Sequence, residues 1–369
     1  MDSSIRALAV AAGLVINLAI FYDLFQTVVL PRPAVRKIQL ARYLVRPGWA
    51  VWRTVGRRIK KVDRSEGFLA GFGPLSLLGL FVVWGLSLTL GYALLITGLG
   101  DEFRPALNDF ATAIYVSATT LVPLSYGDFV PEQGFARVTI IAESATGVAI
   151  AALAITLLFS LYESFRDREE AVVALDALAG APPSGVHILE ASAEQGLRPK
   201  LGDMFDDWRK WSAMVLESHL AYPLLVYFRS SHDNEAWVNS LAAMMDASAL
   251  LLTTVEDESE GSARLMFTVG LHLVEDLGWV FGLKAASDGI VERAEFDEAV
   301  NRLTTAGYSV KEGDAWTRFS HHREKYASAL NLMAHRLAIP AAEWVGDRSY
   351  LPHRGRPSRF RRRRPAVKV

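Results

Sequence analysis

Two long apolar runs bracket the nineteen residues AIYVSATTLVPLSYGDFVP (113–131), and this arrangement limits the fold more than any other feature of the chain. Phe68 to Leu99 carries no charge, and Val138 to Tyr162 carries a single acid. Both runs are long enough to cross a bilayer; at about 1.5 Å per residue, Leu75–Leu99 alone spans about 37 Å. The segment between them contains the polar turn Ser125-Tyr126-Gly127-Asp128. Lipid cannot satisfy irregular backbone, so such a turn survives at membrane depth only inside protein or against a water-filled cavity. The pattern predicts a helix that enters the bilayer, turns, and returns to the same side.

Local chemistry supports that path. Pro123 disfavours a helical Val122, so the entering helix should stop near Leu121. Asn108 is positioned to cap its start, with Asp109 in the first turn. The negative end of its dipole then faces the interior, where it favours a cation.

Tyr115 to Pro131 is similar, without a gap, to the pattern YFSxTTLTTVGYGDIVP of two-span potassium channels. Tyr115, Ser117, Thr119, Thr120, Leu121, Tyr126, Gly127, Asp128, Val130 and Pro131 match in place. Arg137, Glu143 and Gly147 also stand where such channels often carry an arginine, an acid and a hinge glycine. The resemblance covers residues 68–165. It implies a selectivity filter at Pro123, Leu124, Ser125, Tyr126, Gly127 and Asp128, supported by the pore-helix residues Thr119 and Thr120. It also implies a gating hinge at Gly147 and assembly of four chains around one pore. In that family, rings of backbone carbonyls replace the hydration shell of the ion.

Two residues depart from the pattern, because VPLSYGD stands where TTVGYGD is usual. Pro123 replaces the threonine whose hydroxyl closes the innermost site, and proline offers neither hydroxyl nor N–H. Ser125 replaces the first filter glycine, where the backbone needs torsions open chiefly to glycine. Holding serine there costs on the order of 1–3 kcal/mol per chain. Potassium selectivity is therefore the property most exposed to these changes.

The net charge of −1 hides a segregation into blocks. Residues 31–67 carry eleven Lys/Arg against two acids, and 348–369 carry nine against none, whereas 162–347 carry sixteen against thirty acids. The spans read as 6–30, 69–99 and 136–162. The basic loop between the first two places 31–67 on the cytoplasmic side. The N-terminus and the turn at Asp128 then lie outside, and everything after Tyr162 inside. The first span lacks a basic n-region and an A-x-A site and reads as retained rather than cleaved. Cysteine is absent, which removes disulfides and thiolate metal sites. A mean hydropathy of +0.19 suits a chain only half of which lies in lipid.

Several features carry two readings. Asp23, deep in the first span, is either an ion-pair or coupling site or a carboxylate reaching the inner headgroups. Trp49, Trp52 and Ile59 share one helical face and Arg53, Arg57, Lys60 and Arg64 another, as in a slide helix lying on anionic lipid or a plain orientation signal. Gly147, among Ala149, Ala151, Ala152 and Ala154, is a hinge or simply permits close packing. Glu143 should lie behind the entering helix and bond to it or to the turn. Asp101, Glu102 and Glu132 are either an acidic outer mouth or ordinary loop charge.

After Glu163 the chain reads as helices near 164–179, 200–228, 236–255, 262–284, 294–306 and 314–337, with breaks at 180–185, 256–260 and 287–289. No G-x-G-x-x-G, P-loop or H-E-x-x-H occurs. His321-His322-x-Glu324 and His272-x-x-Glu275 offer too few ligands for a metal. The polar run Tyr227–Asn234 looks like a helix end and turn, where a ligand pocket has no other support. The basic tail should be disordered and drawn to anionic lipid or to the acidic helical part; nucleic acid suits a membrane-tethered tail poorly.

The expected fold is an all-α membrane protein with three transmembrane helices, a re-entrant pore helix and filter, and an all-helical cytoplasmic domain. Its parts are a first span (1–30), a basic loop (31–67), a pore domain (68–165), a helical domain (166–347) and a basic tail (348–369). The expected activity is passive conduction, with no enzyme chemistry, cofactor or metal beyond a permeant monovalent cation, potassium first. A weakly selective cation channel and a non-conducting sensor or scaffold remain as alternatives.

Overall fold

A computed structural model describes residues 3–29, 40–180, 182–230, 236–283, 291–340 and 344. The tail 348–369, the break at 287–289, positions 231–234 of the polar run and positions 31–39 of the basic loop lie outside these residues. Over these residues the protein is all-α, apart from a two-residue strand pair and an isolated bridge between Val255 and Val310. Two units can be separated, one comprising Met1–Val51 and Gly73–Glu163, the other Trp52–Phe72 and Ser164–Val369.

Among the described residues three helices are long and apolar enough to cross a membrane. Helix α1 (Ser3–Leu24) continues into a π-helical turn at Phe25–Val29, and α4 (Phe72–Gly98) packs along it. Trp84 and Leu88 of α4 are fully buried against Ile20 and Leu24. The two helices approach so closely that a Cβ on Gly91 would lie 2.2 Å from Asn17 Oδ1, the kind of contact small residues allow between membrane helices. Polar side chains in α4 return their hydroxyls to its own backbone, Thr89 to Gly85 O (3.0 Å) and Thr97 to Ala93 O (2.7 Å). Helix α5 (Phe110–Leu121) is the short entering helix, and it stops at the residue the proline argument requires. Its cap is Asp109, not Asn108. Asp109 sits in extended backbone and accepts from Thr112 N (2.8 Å) and Thr112 Oγ1 (2.7 Å), closing the first turn one residue later than expected.

Helix α2 (Leu40–Gly56) and α3 (Val62–Ala70) make up the described part of the basic segment. The single two-faced helix expected over 49–64 is not formed. The helix ends at Gly56, so Ile59 does not continue the face of Trp49 and Trp52, and Arg57, Lys60 and Arg64 do not continue that of Arg53. Trp49 is buried, and Trp52 stacks on Phe68 at 4.3 Å while donating to Phe68 O at 2.9 Å. Intramolecular partners therefore occupy both tryptophans.

Helix α6 (Gly134–Ala179) is one uninterrupted element, where the sequence suggested a span and a separate helix from 164. In the helical unit, α9 (Trp237–Thr253) is buried on nearly every side, and α7 (Gly185–Glu194), α8 (Leu201–Ala221), α10 (Glu260–Phe281), α12 (Ala315–Glu324) and α13 (Ala327–Leu337) pack around it. A helix apolar all round belongs at the centre of such a cluster. Asp246 in its middle accepts from Tyr326 Oη (2.6 Å) and Arg323 Nε (3.0 Å), so its charge is compensated. Helix α11 (Arg293–Thr305) packs on α7, where Arg302 pairs with Glu190. The sequence reading missed α7, which Ser184 caps directly after the Pro182-Pro183 break.

Candidate ion pathway

Helix α5 delivers the chain into the turn that follows it. Val122 N bonds Ala118 O (3.2 Å), and the single carbonyl of Thr119 accepts from both Leu124 N (2.8 Å) and Ser125 N (3.2 Å). The backbone therefore winds tightly over the end of the helix before leaving it. Ser125 has φ 44° and Gly127 φ 79°. Ser125, which the resemblance aligns with the first filter glycine, thus adopts the left-handed torsion that disfavours an L side chain. Thr119 turns its hydroxyl back to Tyr115 O (2.9 Å) and Val116 O (3.0 Å), and Thr120 is buried. Residues 122–128 are all exposed in the single chain, Tyr126 at 68%. Tyr115 bonds Asp128 through their side chains, tying the end of the turn back to α5.

A buried polar layer supports the turn from behind. The Ser117 hydroxyl lies 2.9 Å from Thr89 O of α4 and 2.5 Å from Glu143 Oε1 of α6, so three helices meet at one oxygen. Glu143 is fully buried and does bond the back of α5. One turn further, Tyr92 Oη and Thr146 Oγ1 are 2.9 Å apart; Thr146 gives its proton to Ala142 O, so Tyr92 is the donor between them. Gly147 faces the last carbonyl of α5, and a Cβ there would lie 1.8 Å from Leu121 O. Close approach is reason enough for a glycine here, and α6 runs through it as one helix.

Among the described residues Asp23 pairs with no basic side chain. It is buried, with Oδ1 accepting from Leu40 N (2.9 Å) and Oδ2 from Trp84 Nε1 (2.8 Å). It thus caps the start of α2 from within α1 and joins both to α4. The sequence did not reveal Trp84 as its partner.

The loop acids are engaged locally. Glu102 Oε2 accepts from Ala136 N (2.9 Å) in the first turn of α6, a favourable place for a carboxylate. Strands β1 (Phe103–Arg104) and β2 (Val130–Pro131) pair antiparallel, and Arg104 bridges to Glu132 at 3.0 Å. The hydrogen bond from Arg6 holds the Asp101 carboxyl below its usual range. Asp128 is the acid that belongs to the turn itself.

Among the described residues no three His, Asp or Glu side chains gather as a metal site. His272 pairs with Asp276 at 3.2 Å, and His322 Nδ1 lies 2.9 Å from Arg318 O. The helical unit does contain a buried charged cluster that the sequence reading overlooked. Arg168 is fully buried and bonds Glu169, Leu225 O, Phe228 O and His219 Nε2. These partners lie one, 51, 57 and 60 residues away, so no local pattern announces them. With Nε2 accepting from the guanidinium, His219 carries its proton on Nδ1, 2.9 Å from Val215 O. Burial, reinforced by Arg168, pushes the His219 ring down to about 3.

Comparison of the chain with curated proteins and with solved structures returned no significant match. A family model described as "Ion channel" matches residues 79–164. That stretch takes in most of α4, all of α5 with its turn, and α6 to just past Tyr162. Residues 79–164 are thus similar to an ion channel, and the described residues include three helices long and apolar enough to cross a membrane.

Proposed function

We propose that four copies of the chain form a potassium-channel-like pore that conducts monovalent cations passively, with potassium the principal ion. The observation that carries this reading is the turn after α5. It leaves the helix at Leu121, takes left-handed torsions at Ser125 and Gly127, and lies exposed on the single chain. One chain supplies one quarter of a ring, and main-chain oxygens of Pro123–Asp128 converging from four chains would replace water around the ion. Thr119 and Thr120 support the turn, Glu143 braces α5 from behind, and Asp128 stands at the mouth. Gly147 sets the spacing of α5 and α6 and serves as the hinge when α6 bends.

The chain would sit in the cell membrane with its N-terminus and the turn outside and the helical unit in the cytoplasm, as the basic segment 31–67 favours. The basic segment and tail would engage anionic lipid. The helical unit would hold the four chains together and bias opening. Pro123 favours one second reading, a pore of weak selectivity, because the innermost ring would lack its hydroxyls. Ion-replacement recordings from reconstituted protein test both: potassium-only current supports the first, mixed sodium and potassium current the second, and silence neither. Restoring Pro123→Thr with Ser125→Gly should raise the preference for potassium over sodium.

A further inference from the structure

We infer that Leu225–Ser230 form a clamp that holds two chain segments at once, the joint between α3 and α4 and the far end of α6, and so regulates the pore. The inference builds on the channel reading. The segment begins in a tight 3₁₀ turn, Pro223–Tyr227, and extends at Phe228. Its residues serve two sides. Toward α6, the carbonyls of Leu225 and Phe228 accept from Arg168 Nη1 (3.2 Å) and Nη2 (2.7 Å), and Ser230 Oγ donates to Glu169 Oε1 (3.2 Å). Toward the other segment, the Tyr227 ring meets Phe72 edge-on at 5.4 Å. Arg229 Nη2 bonds Glu66 Oε2 at 2.5 Å, while its Nη1 bonds Leu337 O at 2.7 Å.

Phe72 is the first residue of α4, and Arg168 lies on the same unbroken helix as Gly147. Leu225, Tyr227, Phe228, Arg229 and Ser230 therefore hold the start of α4, with α3 before it, and the far part of α6, the two helices that flank α5. Apolar packing alone would make these elements adhere. The Arg168 guanidinium on two clamp carbonyls and the Arg229 guanidinium on the Glu66 carboxylate also fix orientation, because a planar fork bonds well only in a narrow range of geometry. Arg168 is fully buried, so sliding α6 against the segment would strand a charge away from water. The two helices can then move at these ends only with the helical unit.

The test uses full-length protein reconstituted in liposomes, with Glu66→Gln, Arg229→Gln and the double variant. Each single change should shift open probability by roughly fivefold or more, the lower end of ordinary coupling between sites. The double variant should shift it no further than one single change, while unit conductance and ion preference stay at wild-type values. Unchanged open probability, or single effects that multiply in the double variant, would overturn the clamp. Should Arg229→Gln fail to assemble, Glu66→Gln carries the test, since it leaves the Arg229 bond to Leu337 O in place. Hydrogen exchange on the same samples reads the clamp without current. Arg229→Gln should speed exchange in both 62–70 and 164–170, and faster exchange in one segment or neither rejects it. A silent wild type would instead count against conduction, with the exchange result still deciding whether both segments are held.

Discussion

The Leu121 carbonyl oxygen points at the α-carbon of Gly147 so closely that a single added methyl group would lie 1.8 Å from it. Gly147→Ala must push the end of α5 away from α6 just before the turn at Pro123–Asp128. Overpacking of this kind costs about 1–3 kcal/mol. Reconstituted current should be lost or sharply reduced while the chain still inserts into membranes. Gly85→Ala is the control, because a Cβ there meets nothing within 4 Å.

Asp23 gathers two donors from different helices, and each becomes an unpaired buried group if the carboxylate is removed. An orphaned buried donor costs about 1–3 kcal/mol. Asp23→Ala should therefore lower the thermal midpoint of the detergent-solubilised protein more than Trp84→Phe, which removes one donor and leaves the bond to Leu40 N. Equal losses would mean that the bond to Leu40 contributes nothing.

Ser125 holds a positive φ that glycine adopts freely. Ser125→Gly should stabilise each chain by roughly 1–2 kcal/mol, the penalty of a side chain in the left-handed region. A rise in the thermal midpoint checks this without any current. No rise would indicate that the serine hydroxyl recovers the cost through a bond of its own in the assembled protein.

His219 makes stability depend on pH. Its folded value of about 3 lies below the ordinary 6.5, so the unfolded chain takes up the proton first and stability falls as pH drops below about 6.5. The loss steepens toward its limiting slope only well below pH 6.5, where the unfolded ring is fully protonated. His219→Gln should be less stable than wild type at pH 7, with the gap narrowing by about 1 kcal/mol between pH 6.5 and 5.5. Denaturation curves at the two pH values measure it; a constant gap would exclude this histidine as the cause.

Much of the first unit is legible in the sequence because its signals are local. The uncharged run before Leu99, the proline that ends α5, and the requirement for positive φ at position 125 all act within a few residues. Asp109 displaced Asn108 as the cap by one position, a distinction that depends on which residue adopts extended backbone. What escaped reading acts through space. Trp84 lies 61 residues from Asp23, and Phe228 lies 60 from Arg168. Neither separation leaves a periodic trace. Helix α7 was hidden because Pro182 and Pro183, which mark a break, stand directly before the Ser184 that starts it. Trp49 and Trp52 sit on a plausible lipid-facing stripe, and only the fold shows that protein covers them.

The length of α6 has a mechanical consequence. Forty-six residues in one helix extend about 69 Å, more than twice a hydrocarbon core of about 30 Å. While it stays unbent, such a helix conveys twist as faithfully as translation. Phase therefore matters more than distance: one residue inserted after Tyr162 would swing the Arg168 guanidinium by about 100° around the axis, whereas seven would bring it nearly back into line.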